Sequence, residues 1–368
     1  MVWKLTENLG SKRIGFIDQC KGIGILLMVY GHCTTLEWEA STYGAAAFKQ
    51  WICSFHMPLF IILGGCLLAF KREVFLFPET LLKKAKRLLL PGVYFTLLTI
   101  LMFLLIKLVS GRNWIQYLTN SLAELAALQF QGAMWFLTCY FFAEIIFLLL
   151  MKKIITEFQP ILISAVFFIG AVCIKSEAHI MVRLSRLMMA ICFLGVGYWS
   201  YQILLSKLVS RDKQSNCEKN RDGILTAIGL VGVMLIAAGG FGQSFNGKEV
   251  SMINAFYGDS APLFVLYALL ETFGFVFLSF GIGKTIPILE FYGKNSLVVL
   301  CSHHFFIEVF WILNSQIFHL PLGSVDARLF ALGVILLEAP TIIVINRFFP
   351  WLIGMKKKKE LGCSASLS

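Results

Sequence analysis

The chain has 368 residues, of which 58% are hydrophobic and only 14% charged, with 34 Phe among them. A water-soluble domain of this size carries far more charge, so the composition excludes an ordinary globular enzyme and points to an all-α polytopic membrane protein embedded in a lipid bilayer. The net charge of +11 is not a nucleic-acid signal, because Lys and Arg gather in short segments between apolar runs, where they report membrane orientation.

Ten apolar runs predict ten membrane helices, at about residues 14–33, 48–70, 88–109, 132–151, 159–175, 187–206, 223–241, 261–282, 295–318 and 329–353. The first run contains Asp18 and Lys21 and lacks a small-residue cleavage site, so it reads as a span rather than a signal peptide. Alternate junctions are rich in cations: Lys71 and Arg72 with Lys83 to Arg87, Lys152 and Lys153, Lys207 to Arg221, and Lys356 to Lys359. The intervening junctions hold few, among them Lys49, Arg112, Arg183, Arg186 and Arg328. That asymmetry predicts a multi-pass protein of the cell membrane with both termini cytoplasmic. Residues 1–355 form one transmembrane domain, and 356–368 a basic then polar tail. No internal repeat is visible. The ten Cys lie scattered with no CxxC pair, which favours small apolar fillers over disulfides or a metal site.

In the first run, Lys21 and His32 are eleven residues apart. At about 100° and 1.5 Å per residue, they lie about 20° apart on one helix face and roughly 16 Å apart along the axis. Asp18 falls on the same stripe and is spaced to pair with Lys21. Ionisable groups inside a span are expensive and are functional candidates by default, although a structural ion pair and an interfacial histidine form the plainer explanation. Gly22, Gly24 and Gly31 permit close approach of another helix.

Farther along, Ser54 to Phe60 opens the second span with His56, placed to share the cavity of His32, and with Pro58, which interrupts the backbone ladder. Lys83 to Arg87 reads mainly as membrane anchoring, with Arg87 and Lys83 as possible phosphate ligands. Gly293-Lys294-Asn295-Ser296 opens the ninth span, where free backbone N–H groups and Lys294 suit an anion, or where Asn295 or Ser296 simply caps the helix. His303 and His304 follow at mid-span; adjacent side chains point about 100° apart, so one at most is expected to face a given cavity. Glu144, Glu271, Glu308 and Glu338 lie within spans as proton-path candidates or interhelical hydrogen-bond partners.

These segments, taken in order, resemble the acyltransferase-3 family of integral-membrane O-acyltransferases, and within it the fucose 4-O-acetylase-like members without an appended esterase domain. The resemblance rests on Ile17-Asp18 through Gly31-His32, Phe55-His56-Met57-Pro58-Leu59-Phe60, Arg87 to Pro91, Trp135-Phe136-Leu137, Asn254 to Gly258, and Gly293 to His303. Two departures stand out: Lys21 occupies a position where many members carry Arg, and Gly64-Gly65 replaces their Ser-Gly. The resemblance implies acyl transfer from cytoplasmic acetyl-CoA to a hydroxyl of a cell-envelope carbohydrate, free or lipid-linked, without a metal. It implies a catalytic group of His32, Lys21, Asp18 and His56. Donor contacts fall on Arg87, Lys83, Lys294, Asn295 and Ser296, and acceptor contacts on Glu37, Trp135, Asn254, Tyr257 and His303.

In the expected chemistry, neutral His32 serves as general base while the hydroxyl attacks the thioester, and His56 or a backbone N–H holds the oxyanion. An acetyl-histidine intermediate is an alternative route. Two rival readings are a proton-coupled transporter of a small polar solute or acyl group, in which the buried Glu and His carry protons, and a non-catalytic partner in an envelope assembly.

Overall fold

The computed structural model describes residues 14–34, 45–71, 76–111, 113–153, 156–208, 218–247, 250–319 and 326–355. Among these, twelve α-helices carry the fold. They are α1 Gly15–Cys33, α2 Ala45–Lys71, α3 Glu79–Val109, α4 Trp114–Ala126, α5 Trp135–Leu150, α6 Gln159–Cys173, α7 His179–Ser200, α8 Glu218–Gln243, α9 Ala261–Gly281, α10 Pro287–Lys294, α11 Ser296–Leu313 and α12 Ala327–Phe348. The strands among the described residues are two short ones, β1 Val250–Ser251 and β2 Phe256–Tyr257, paired antiparallel between α8 and α9.

Eight helices are long and apolar enough to cross a membrane. They coincide with eight of the ten expected runs. The fifth run forms α6, an apolar helix of only 15 residues. The first forms α1, whose 19 residues include Asp18, Gln19, Lys21 and His32, which lower its hydropathy. The outer helices expose apolar side chains, such as Leu97, Leu101 and Leu105 of α3, Val231 and Met234 of α8, and Leu332, Leu336 and Ile343 of α12. Apolar surface of that extent suits lipid contact rather than water. The chain is a multi-pass helical membrane protein.

α1 occupies the centre, packed against α2, α9, α10, α11 and α12. That position explains how a helix with so many polar groups stays inside: neighbouring helices enclose it, and Asp18 and Gln19 are buried. Gln19 Oε1 accepts the backbone N–H of Ile286 at 2.6 Å, which ties the start of α10 to α1. The α1–α10 approach is backbone on backbone. A Cβ at Gly22 would strike the carbonyl of Leu289, and one at Gly293 the carbonyl of Asp18.

The chain departs from expectation at four places. α3 begins at Glu79, so Lys83 to Arg87 lie on helical turns and not in a loop. Lys and Arg are good helix formers, and Pro91 removes only one ladder bond from a helix 31 residues long. α7 begins at His179, which places Arg183 and Arg186 on its first turns and not in a junction. α4 was not expected. It is amphipathic, with Tyr117 under the Lys107 ammonium of α3 at 5.2 Å from the ring centroid. α10 was not expected either; it ends at Lys294, just before the ninth run, and Asn295 separates it from α11.

Candidate active site

Along α1, the face that carries Lys21 and His32 is not a continuous open strip. Both residues are partly exposed, yet Ile25 and Met28, which lie between them within about 40° of the same face, are each 1% exposed. Buried side chains therefore separate Lys21 from His32 along the face that they share. Asp18 is buried below Lys21. Beyond His32 the helix closes with the Thr34 hydroxyl donating to Gly31 O at 2.8 Å, and Lys49 of α2 on Thr34 O at 3.5 Å, the usual place for a cation at a helix C-terminus.

His32 meets three other imidazoles. Its ring centroid lies 5.2 Å from that of His303 and 5.3 Å from that of His304, and these two are 5.4 Å apart. Both members of the doublet thus face His32, against the expectation of one. His32 sits in the angle that their 100° divergence opens, wide enough for a flat ring to touch each. His56 of α2 is within electrostatic reach of His32 and His303. The local helix fixes two of the tautomers. His56 Nδ1 lies 2.7 Å from Ile52 O, and His303 Nδ1 lies 2.7 Å from Val299 O. A carbonyl only accepts, so each Nδ1 carries the proton and each Nε2 presents a lone pair. His303 is fully buried and its Nε2 has no hydrogen-bond partner. Among the described residues no three His, Cys, Asp or Glu are grouped as metal ligands.

Two serine–carboxyl pairs flank the cluster. Ser54, two residues before His56, lies 3.0 Å from Glu271 of α9. Ser302, immediately before His303, lies 2.7 Å from Glu338 of α12. Both carboxyl groups are fully buried. They join helices that carry the histidines to helices that do not. Glu308 lies one turn beyond His304, at 3.9 Å from its Nδ1.

The turn before α5 also reaches the cluster. Gly132 has φ +59°, a conformation that favours glycine, and a Cβ there would sit 3.1 Å from the His304 ring. Three residues on, Trp135 lies under the guanidinium of Arg186, 4.5 Å from its ring centroid. Tyr257 is buried, with its hydroxyl 3.0 Å from Ser185 Oγ. Asn254 is exposed on the turn between the two strands. Glu37 lies outside the described residues.

At the other end of α1, Lys83 and Arg87 are exposed on the first turns of α3, while Lys84 between them is buried and pairs with Glu144 of α5 at 3.1 Å. Lys294 pairs with Glu290 at 2.6 Å. Asn295 does not cap α11 with its side chain. Its Nδ2 donates to Phe291 O at 2.8 Å, and its Oδ1 accepts from Asn346 Nδ2 at 2.7 Å, so it ties α10 to α12. Ser296 is the first residue of α11.

Compared with protein-family models, residues 14–345 match the acyltransferase domain of the acyltransferase-3 family. The chain belongs to that family. Neither the curated proteins nor the solved structures compared with it gave a match. The protein is a membrane acyltransferase, and the match runs from just before α1 to within α12.

In this acyltransferase the cluster unites residues from α1, α2 and α11 that no sequence window holds together. His304, Glu144's partner Lys84 and Arg186 gained no role from the sequence. The His303-His304 doublet was a visible signal for the first. The other two looked like ordinary anchoring cations, and only their partners distinguish them.

Proposed function

We propose that this acyltransferase moves an acetyl group from acetyl-CoA to a hydroxyl of a carbohydrate, with His32 as general base. The observation that carries the reading is the imidazole cluster: His32 on the central helix beside His303 and His304, inside a membrane acyltransferase. A base for a sugar hydroxyl must hold a lone pair close to where the oxygen attacks. His56 and His303, whose Nδ1 atoms donate to backbone carbonyls, present their Nε2 lone pairs as further proton acceptors.

In the proposed step, His32 takes the hydroxyl proton as the oxygen attacks the thioester carbonyl. The C–O bond forms, the C–S bond breaks, and the proton passes to the departing thiolate. His303 Nε2, a lone pair without a partner, can accept a hydrogen bond from an N–H of His32 or from the acceptor hydroxyl. His304, next to His303 on α11, also lies against the His32 ring. Lys83 and Arg87, exposed on α3, suit the phosphates of the donor at the cytoplasmic face. This assignment adopts the orientation with both termini cytoplasmic. Lys294 already has Glu290 as a partner, which makes it the weaker phosphate ligand.

The test uses the purified protein in liposomes with acetyl-CoA and a panel of saccharides. Wild-type protein is expected to form an O-acetylated sugar detectable by mass spectrometry. His32→Ala should lower the rate by about 10²–10⁴-fold while acetyl-CoA still binds. Full activity in that variant would overturn the role given to His32, and an absence of transfer to any hydroxyl would overturn the reaction.

A further inference from the structure

Arg186 stands out because its charge is unbalanced. The guanidinium stacks on Trp135 and donates through Nη1 to Ile253 O at 3.1 Å. Its Nε is buried without a partner. Among the described residues no carboxylate pairs with it, and its side-chain neighbours are Cys139 and Tyr257, with Arg183 one turn away adding a second cation. Tying the strand loop to α7 needs one uncharged donor to Ile253, which Gln supplies. A planar cation fixed on an indole, with donors left over, is instead the arrangement that recognises an oxyanion.

The location relates this group to the imidazoles. Gly132, against His304, and Trp135, under Arg186, belong to one continuous helical turn with a rise of about 5 Å. The guanidinium and the imidazole cluster are therefore linked through the same turn of chain. Tyr257 and Ser185 hold each other, and neither offsets the charge of Arg186.

We infer that Arg186, stacked on Trp135, is a subsite for an anionic group of the acceptor, so that the substrate is an acidic saccharide carrying a carboxylate or a phosphate near the acetylated hydroxyl. The identity of the molecule as an acyl acceptor rests on the acetyl-transfer reading; the charge preference does not. Sugar stacking on the remaining Trp135 surface complements the ion pair.

The experiment measures binding to the full-length protein in nanodiscs by calorimetry, with methyl glucuronide, glucose 1-phosphate and methyl glucoside as probes. Wild-type protein should bind at least one charged sugar about tenfold or more tighter than the neutral one. Preference for the glucuronide alone identifies a carboxylate, for the phosphate alone a phosphoryl group, and for both a general oxyanion site. Arg186→Gln should abolish the difference and leave glucoside binding unchanged, and Arg186→Lys should restore part of it. Equal binding of all three by wild-type protein, or no binding of any, overturns the subsite without need of a variant that folds. So does an equal loss of charged and neutral binding in Arg186→Gln. His32→Ala should retain the charge preference, so a failure of transfer and a failure of the anion subsite are read separately.

Discussion

The Lys84 ammonium lies 3.1 Å from the Glu144 carboxylate, with the two side chains only 8% and 7% exposed. A pair this deep joins α3 to α5 where water cannot replace either partner. Removal of one member leaves an uncompensated buried charge, which costs about 3–5 kcal/mol, whereas replacement of both by apolar residues is often neutral. Lys84→Met should therefore lower the thermal midpoint of the detergent-solubilised protein clearly, and Lys84→Met with Glu144→Leu should recover most of it. A double variant as unstable as the single would remove the pair from the account.

Gly22 and Gly293 let α1 and α10 touch through their backbones. Gly→Ala in a helix ordinarily gains about 0.5–1 kcal/mol, but here the new methyl meets a carbonyl. Gly22→Ala and Gly293→Ala should each cost about 1–3 kcal/mol or more, seen as lost monodisperse protein on size exclusion. Gly333→Ala, where nothing lies within 4 Å of the new Cβ, should be neutral or stabilising. Similar behaviour of the three would show that the α1–α10 contact is loose.

Ser185 has one hydroxyl proton, which it donates to Ala171 O at 2.9 Å, so the Tyr257 O–H donates to Ser185 Oγ. Tyr257→Phe should cost about 1 kcal/mol. Burial pushes the phenol up to about 12, against about 10 in an unfolded chain. Below pH 10 both states hold the proton and stability does not respond. Between pH 10 and 12 only the unfolded state releases it, so stability falls as pH rises. Alkaline unfolding of Tyr257→Phe should show a shallower fall over that interval than wild type; identical slopes would exclude the phenol as a contributor.

Ile25 and Met28 fill the strip between Lys21 and His32. If the thioester approaches His32 along this face, those side chains must move, and Met is flexible enough to do so. Met28→Trp should lower kcat about 10²-fold through misplacement of the reacting groups with acetyl-CoA binding retained, and Met28→Ala should stay active. Undiminished turnover in Met28→Trp would direct the donor to another face of α1.

Residues along one helix were legible because the α-helical period needs no neighbour. Lys21 and His32 share a face of α1 by arithmetic alone, and the long apolar runs became helices because a bilayer leaves the backbone no other partner. Charge statistics misled where a cation had a private contact. Arg186 was counted with a junction although α7 already includes it, and Lys84 was counted as an anchor although Glu144 holds it. Asn295, a plausible cap by type, spends its side chain on Phe291 and Asn346.

The amino-acid order by itself determined the class of protein, the positions of its spans and the family to which it belongs, since these depend on composition, periodicity and local motifs. Tertiary structure alone decided that His303 and His304 both meet His32, that Met28 and Ile25 close the strip below it, and that Arg186 lies on Trp135. The first and the last join segments far apart in the chain, and the second depends on the helices that cover α1; packing between helices, which carries no period in the sequence, selects which distant side chains become neighbours.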